Sequence, residues 1–461
     1  MAVACGEGFT AVVMEKGDLW SFGEGESGEL GLGTATDQLL PASVGVADDL
    51  FDGETVVMVA AGTGHTACVT AKGTLWTWGN GQYGRLGHGD REPRQRPVRL
   101  GKEMYGGSPA VMVACGARHT LVLTGVGLLS CGFGDDGQLG HGDKAERLVL
   151  TLVTAEGFRG AQIVMVAAGA THSVALGAEG RVWTWGSGRH GQLGHSNEGN
   201  RLVPKLLAGE ALGGSAAVLV SAGWGHTVAV TLEGELWVWG CGGEGQLGLG
   251  DQTNRLTPTL VGAESVFVGL QVLTVVCGFF NTLVVTKDGA LWTFGKGENG
   301  ALGHIDRDNR LLPTRIEAQH FDNAKIVCVA GGYWHSAAVT DKGALYTWGS
   351  GRGLGHTDGQ AKLAPTLVAP HLLQGSRVGC WHDLPPLHAL AFAMGTHARL
   401  GRKTLAAADK DKDCEYVTMP GELVQRVVEA CRRGVPEGRT GKLEGLVRML
   451  GGSMMKTRGS T

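Results

Sequence analysis

No stretch of the 461-residue chain approaches the roughly 18 consecutive apolar residues that a membrane-spanning helix needs. Met1 leads almost directly into a repeat, so a charged-then-apolar leader is not expected either. Charge of one sign is also missing. Forty Lys and Arg against 44 Asp and Glu leave a net charge of -4, which gives no electrostatic reason to expect direct nucleic-acid binding or attraction to an anionic membrane. Ten cysteines are present but no Cys-x-x-Cys pair, so neither a zinc site nor a disulfide framework is expected. Cys5, Cys115 and Cys277 stand where other parts of the chain carry Ala61, Ala168, Ala222 and Gly331, and read as small buried apolar residues. These absences leave a cytosolic or nuclear protein as the expectation, with no metal and no cofactor.

What the sequence has in abundance is glycine, 79 residues of it, at fixed offsets. The leucine of a Leu-Gly step recurs at Leu30, Leu86, Leu139, Leu193, Leu247, Leu302 and Leu354, a beat of about 54 residues. A histidine keeps the same beat at His65, His119, His172, His226 and His335, with Phe9 and Asn281 in the equivalent slots. Within a copy such as Val59 to Asp90, a short apolar strand ends at a glycine and a two-residue loop precedes His-Thr. A second strand and a turn at Lys72-Gly73 follow. Leu75 to Trp78 forms a third strand, and a more polar outer strand ends near Pro97. Three or four short antiparallel strands per period, repeated seven times, describe the blades of an all-β propeller.

The His-Thr, Gly-x-Leu-Trp-x-Trp-Gly and Gly-x-Leu-Gly-His-Gly steps resemble the repeat of the regulator of chromosome condensation family, over residues 1 to about 401. The resemblance implies a seven-bladed propeller. It says little about function, because that family includes a nucleotide exchange factor for the GTPase Ran, an ultraviolet-B receptor, and propellers attached to ubiquitin ligases and kinases.

Residues 1–401 are read as the propeller, ending in a partial eighth unit at His388 and Ala398 to Gly401 that is expected to pair with the N-terminal copy and close the ring, the alternative being a decayed blade beside it. Residues 402–419 read as a charged linker, and 420–461 as a helical and disordered tail. There Leu423, Val424, Val427, Val428 and Cys431 fall at helical spacing, and Leu443, Leu446, Val447 and Leu450 suggest a second short helix.

A residue that occurs once per blade is spread around a ring and cannot converge on one substrate. The recurrent histidines therefore read as structural, bonding backbone groups and holding the first strand against the second. The same holds for His88, His141, His195, His304 and His356 of the Leu-Gly-His steps. Asp90, Asp143, Asp251, Asp306 and Asp358, each followed four positions later by Arg or Lys, read as turn formers with a basic partner between adjacent blades. No nucleophile, base and orienter set is visible, so no catalytic residue is assigned and the chain is not expected to be an enzyme.

The informative positions differ between copies. In the loop before the histidine slot, the early copies carry Glu7-Gly8, Thr63-Gly64, Ala117-Arg118 and Ala170-Thr171. The later ones carry Trp224-Gly225, Phe279-Phe280 and Tyr333-Trp334, with Trp381 in the partial unit. Equivalent loops of consecutive blades lie on one face, so these aromatics are expected to form an arc that binds a protein partner, a small GTPase being one candidate. The competing expectation is that they fold inward and cover the central channel.

Two further roles are implied by the resemblance. The ultraviolet-B receptor carries Gly-Trp-Arg-His-Thr in successive loops. Only Trp224 matches here; Phe279 and Tyr333 replace the other tryptophans, and Gly225, Phe280 and Trp334 replace the arginines, which disfavours a light-sensing dimer. The exchange factor has an enlarged wedge loop. Here the span from the Trp-Gly glycine to the Leu-Gly leucine is seven in six copies, as from Gly186 to Leu193, and five in the last, from Gly349 to Leu354. The expected function is a non-enzymatic interaction scaffold, linked to GTPase or ubiquitin signalling. Exchange factor is the alternative that an exchange assay separates, and photosensor the disfavoured one that ultraviolet-induced monomerisation separates.

Overall fold

Alternation of small and β-branched residues between glycine-bounded turns gives each copy four short strands, and the structure contains all four in every copy. The computed structural model describes residues 3–45, 50–154, 156–262, 271–373 and 378–379. They form seven four-stranded antiparallel sheets, each built from one continuous stretch of chain. In blade 2 the strands are Val56–Ala61, His65–Thr70, Leu75–Gly79 and Arg94–Arg99, from the innermost outward. The second strand is buried throughout in all seven blades, because it lies between two sheet neighbours and under the adjoining blades. Among the described residues no helix is long and apolar enough to cross a membrane.

The core lies between blades. Each of seven hydrophobic clusters draws on two neighbouring blades, and one of them joins Val3, Val12 and Phe22 of blade 1 to Ala337, Val339 and Leu345 of blade 7. Blade 1 alone has a short inner strand, Val3–Cys5. Its missing first rung is filled by Val378, which bridges to Met14 and donates its N–H to the Gly343 carbonyl at 3.1 Å, as Val56 donates to Gly17 in blade 2. The expected closing fragment from His388 to Gly401, the linker and the tail helices lie outside the described residues.

The glycine of each Trp-Gly step has a steric reason. Gly79 opposes His65 at φ +97°, and a Cβ there would lie 2.6 Å from the Gly64 carbonyl oxygen. The turn in which the third strand meets the loop before the histidine therefore admits no side chain.

Two sequence expectations need correction. The histidines do not mainly bond backbone within their own blade: His65 Nε2 lies 2.9 Å from Thr120 Oγ1 of the next blade, and His119, His172 and His226 repeat the contact with Ser173, Thr227 and Thr282. His335 closes the circle on Thr10 at 2.8 Å. Nor do the aspartates pair between blades. Asp90 binds Arg94 at 2.6 Å and accepts the Glu92 N–H inside one loop, and four other copies do the same. A carboxylate two residues before the N–H it receives is a local turn device, which the i,i+4 cation then covers.

Candidate functional site

Both the loop between the first and second strands and the longer loop between the third and fourth open on the same face of the ring. Around the mouth of the central channel each blade contributes a small residue and a glycine, such as Ala61-Gly62 and Cys115-Gly116. A Cβ on Gly62 would meet the Gly116 carbonyl of the next blade at 2.4 Å, so neighbouring blades approach through bare backbone here. Blades 4 to 7 and 1 are stitched at this level by main-chain bonds: Ala170 N–H to Gly223 O, Trp224 N–H to Phe279 O, Phe279 N–H to Gly332 O, and Tyr333 N–H to Gly6 O. These bonds fix the loops that carry the aromatics.

The aromatic residues of blades 5, 6 and 7 form one connected surface. Trp224 meets Phe280 with ring centroids 5.3 Å apart, Phe280 meets Phe279 at 5.4 Å, Phe279 stacks on Tyr333 at 3.8 Å, and Tyr333 meets Trp334 at 3.9 Å. All five are half-buried. Phe279 and Tyr333 line the channel mouth, while Trp224, Phe280 and Trp334 are not part of that lining. Trp381 lies outside the described residues.

Three contacts on this face escaped the sequence reading. His190, from the long loop of blade 4, extends the arc by packing on Trp224 at 5.0 Å. Lys296 stands 5.6 Å from the Phe280 ring centre and pairs with Glu298 at 2.6 Å. On blades 2 and 3, Tyr83 packs edge-on against Phe133 at 4.9 Å, with Arg118 over both rings. Tyr83 adopts a left-handed conformation (φ +62°), where a bulky residue carries strain. Comparing the Gly-x-x-Gly slot copy by copy finds His190 and Tyr83, since Ser27, Asp136, Glu244 and Asn299 hold the equivalent position.

Blade 1 follows blade 7 around the ring, and the character of the face changes there from aromatic to acidic. Glu7, Glu24 and Glu29 crowd together, and burial raises the pKa of each, Glu29 to about 7. Burial and the nearby Glu7 carboxylate also raise the Tyr333 phenol. Glu29 stands in the slot held by Gln138, Gln192 and Gln246 in blades 3 to 5, each of which accepts the N–H two residues before it, as Glu29 does from Ser27 at 2.8 Å. A folded pKa near 7 against about 4.3 unfolded means that the folded state loses stability as pH rises from about 4.3 to 7. Glu29→Gln is accordingly expected to raise the melting temperature at pH 8, by an amount corresponding to about 3 kcal/mol, and to leave it unchanged at pH 4. Thermal unfolding at the two pH values checks this, and an equal effect at both would sink it.

Among the described residues no group of three or more His, Cys, Asp or Glu could hold a metal ion.

Comparison with known proteins agrees with this architecture. The model of the RCC1-like domain matches residues 1–272, and that of the regulator of chromosome condensation (RCC1) repeat matches residues 288–339. The ultraviolet-B receptor UVR8 of Arabidopsis thaliana is 38% identical over 296 residues, which are 64% of this chain and 65% of the receptor. The human E3 ubiquitin-protein ligase HERC2 is 35% identical over 354 residues, 75% of this chain and 7% of the ligase. The chain thus spans less than two thirds of the length of either relative. Among solved structures, human WBSCR16 superposes with a TM-score of 0.66 at 24% identity, covering 76% of this chain and 93% of that one. Yeast RCC1 (Prp20), solved bound to Kap60, gives 0.65 at 21% identity, covering 80% and 85%. Seven blades joined by repeated His-to-hydroxyl contacts, together with a family model that matches more than half of the sequence, place the chain in the regulator of chromosome condensation (RCC1) repeat family.

Proposed function

We propose that the chain is a regulatory interaction scaffold, without catalytic chemistry of its own, whose aromatic arc receives a protein partner. One observation carries the reading. Trp224, Phe279, Phe280, Tyr333 and Trp334 touch in an unbroken series across three blades, in loops where blades 1, 2 and 4 carry Glu7-Gly8, Thr63-Gly64 and Ala170-Thr171. Folding does not require large aromatics at these slots, because four other blades close without them. Half-buried, mutually packed rings are pre-organised, so a partner can cover them at little entropic cost. The loops are held by main-chain bonds, which suits a surface that binds without rearranging.

The test is a pull-down from cell lysate with the wild-type chain beside a Trp224→Ala, Tyr333→Ala, Trp334→Ala variant, both checked for fold by circular dichroism. At least one partner is expected to fall about tenfold or more with the variant, in line with the loss of central aromatic anchors worth ~2 kcal/mol or more each. Matching eluates from two folded proteins would refute the arc as the binding face. A small GTPase among the lost proteins would move the reading to nucleotide exchange, which an exchange assay with that GTPase then decides.

A further inference from the structure

Beside the arc, on the same face, a polar cleft of about 400 Å³ opens between blades 1 and 2. Glu7, Glu24, Glu26 and Glu29 line it, together with Arg85 and Arg352. The two cations are already engaged. Arg352 pairs with Asp37 at 2.8 Å, and Arg85 donates to the carbonyls of Gln82 and Ala117 with its guanidinium near the Tyr83 ring. Counting Asp37, five acidic side chains face two guanidinium groups, so the cleft stays negative even with Glu29 half protonated near pH 7.

That charge is not a structural requirement. Glu29 is 6% exposed, and its contact with the Ser27 N–H is made equally well by neutral glutamine in blades 3, 4 and 5. The residue borders the cleft. Glu24 packs its carboxyl over Gly8, where an added Cβ would come within 2.3 Å of it, so a missing side chain makes room for this acid. Buried acids that the fold could replace with amides, aimed into an open space short of positive charge, point to a cationic ligand.

The cleft is continuous with the arc. The Tyr333 N–H bonds the Gly6 carbonyl at 3.1 Å, and Glu7 follows directly. We infer that the cleft receives a lysine or arginine side chain of the partner segment whose apolar flank lies on Tyr333 and Phe279. The inference rests on the arc reading and adds the chemistry of what docks there: a basic and apolar peptide. A cation seated between Glu24 and Glu29 gives both buried carboxyls a charged donor, and the apolar stem of the same side chain runs toward the arc.

The test uses the full chain. A phage-displayed library of random 12-residue peptides is panned on wild type, and the selected peptides are synthesised and titrated against three proteins. These are wild type, a Glu24→Gln, Glu29→Gln variant, and a Trp224→Ala, Tyr333→Ala variant. Glutamine at 29 reproduces the residue of three other blades, so the acid variant is expected to fold, and its melting curve confirms that. The selected peptides should share a Lys or Arg beside apolar residues, and both variants should weaken them at least tenfold. Replacing the peptide's basic residue by Gln should weaken wild type by a similar factor and leave the acid variant no weaker than before. Peptides without a basic residue, equal affinity for wild type and the acid variant, or no selected peptide at all would each overturn the inference. Non-basic peptides that the arc variant still releases would leave the arc reading standing alone. Basic peptides that need the glutamates but ignore the arc substitutions would sustain the cation site and remove the arc.

Discussion

Lowering the pH from 7 to 4.5 is expected to unfold the propeller in a steep transition, with a midpoint between about pH 5.5 and 4.5, and the cause is the set of histidines that ties one blade to the next. Each receiving hydroxyl already donates its own hydrogen. Thr120 Oγ1 bonds the Arg85 carbonyl, Ser173 the Gln138 carbonyl and Thr227 the Gln192 carbonyl. The hydroxyl oxygen can therefore only accept from the imidazole, which fixes the proton on Nε2 and leaves Nδ1 bare. Nδ1 of His65, His119, His172 and His226 is buried without a partner, so the second proton of an imidazolium would have nothing to bond. Burial accordingly depresses His119, His172 and His226 to about 3 and His335 to about 4.

A histidine whose folded pKa lies below its unfolded value near 6.5 contributes its full stability above pH 6.5 and loses it as pH falls toward the folded pKa. In that window the unfolded chain binds more protons. Each such group costs about 1.4 kcal/mol per pH unit, and four acting together remove roughly 8 kcal/mol by pH 5, within the 5–15 kcal/mol range of a domain's whole stability. The raised carboxyls of Glu7, Glu24 and Glu29 oppose the trend, Glu29 most strongly, but they are outnumbered by the depressed histidines. Circular dichroism against pH, with proton uptake measured on unfolding, checks the expectation. A transition that begins only below pH 3.5 would show that these histidines do not set the acid limit. His172→Asn should move the midpoint to lower pH, since Asn281 fills the same slot in blade 6 with an amide that does not titrate.

The second large effect is expected at the inner tryptophan of the Leu-Trp-x-Trp step. Trp185 is fully buried in the cluster shared by blades 3 and 4 and donates its indole N–H to the Gln138 carbonyl of the preceding blade at 2.9 Å. Trp78, Trp239 and Trp348 make the same contact in their blades. Trp185→Ala removes one of the two largest side chains of this interface between blades and is expected to cost about 3–5 kcal/mol. Trp185→Phe should cost about 1–2 kcal/mol, because it loses one hydrogen bond and part of the volume while the Gln138 carbonyl keeps the Ser173 hydroxyl. Phe22 and Phe294 already fill the slot in blades 1 and 6. Urea unfolding of the three proteins measures the order. An alanine variant within 1 kcal/mol of wild type would mean that the interface between blades collapses onto the cavity.

Much of this architecture is legible without coordinates, and the reason is local. The period of Leu30 to Leu354 and the glycines after each Trp follow from turn geometry and strand alternation, which act over a few residues. The same alignment of copies singles out Trp224, Phe279, Phe280, Tyr333 and Trp334 as the loops that differ. It could not tell that a His-Thr dipeptide works between blades, because the histidine and its receiving hydroxyl are 54 to 56 residues apart in consecutive blades and 325 apart where blade 7 meets blade 1. For the same reason the sequence does not reveal that Glu7 stands beside Tyr333, which only ring closure brings about. The sequence by itself determined the number of blades, their strands and which loop slots are aromatic, because apolar periodicity and glycine placement are encoded within each repeat. Only the tertiary structure decided which rings stack, which imidazole nitrogen carries the proton and where acid meets aromatic, because those depend on how each blade packs against the next and the last against the first.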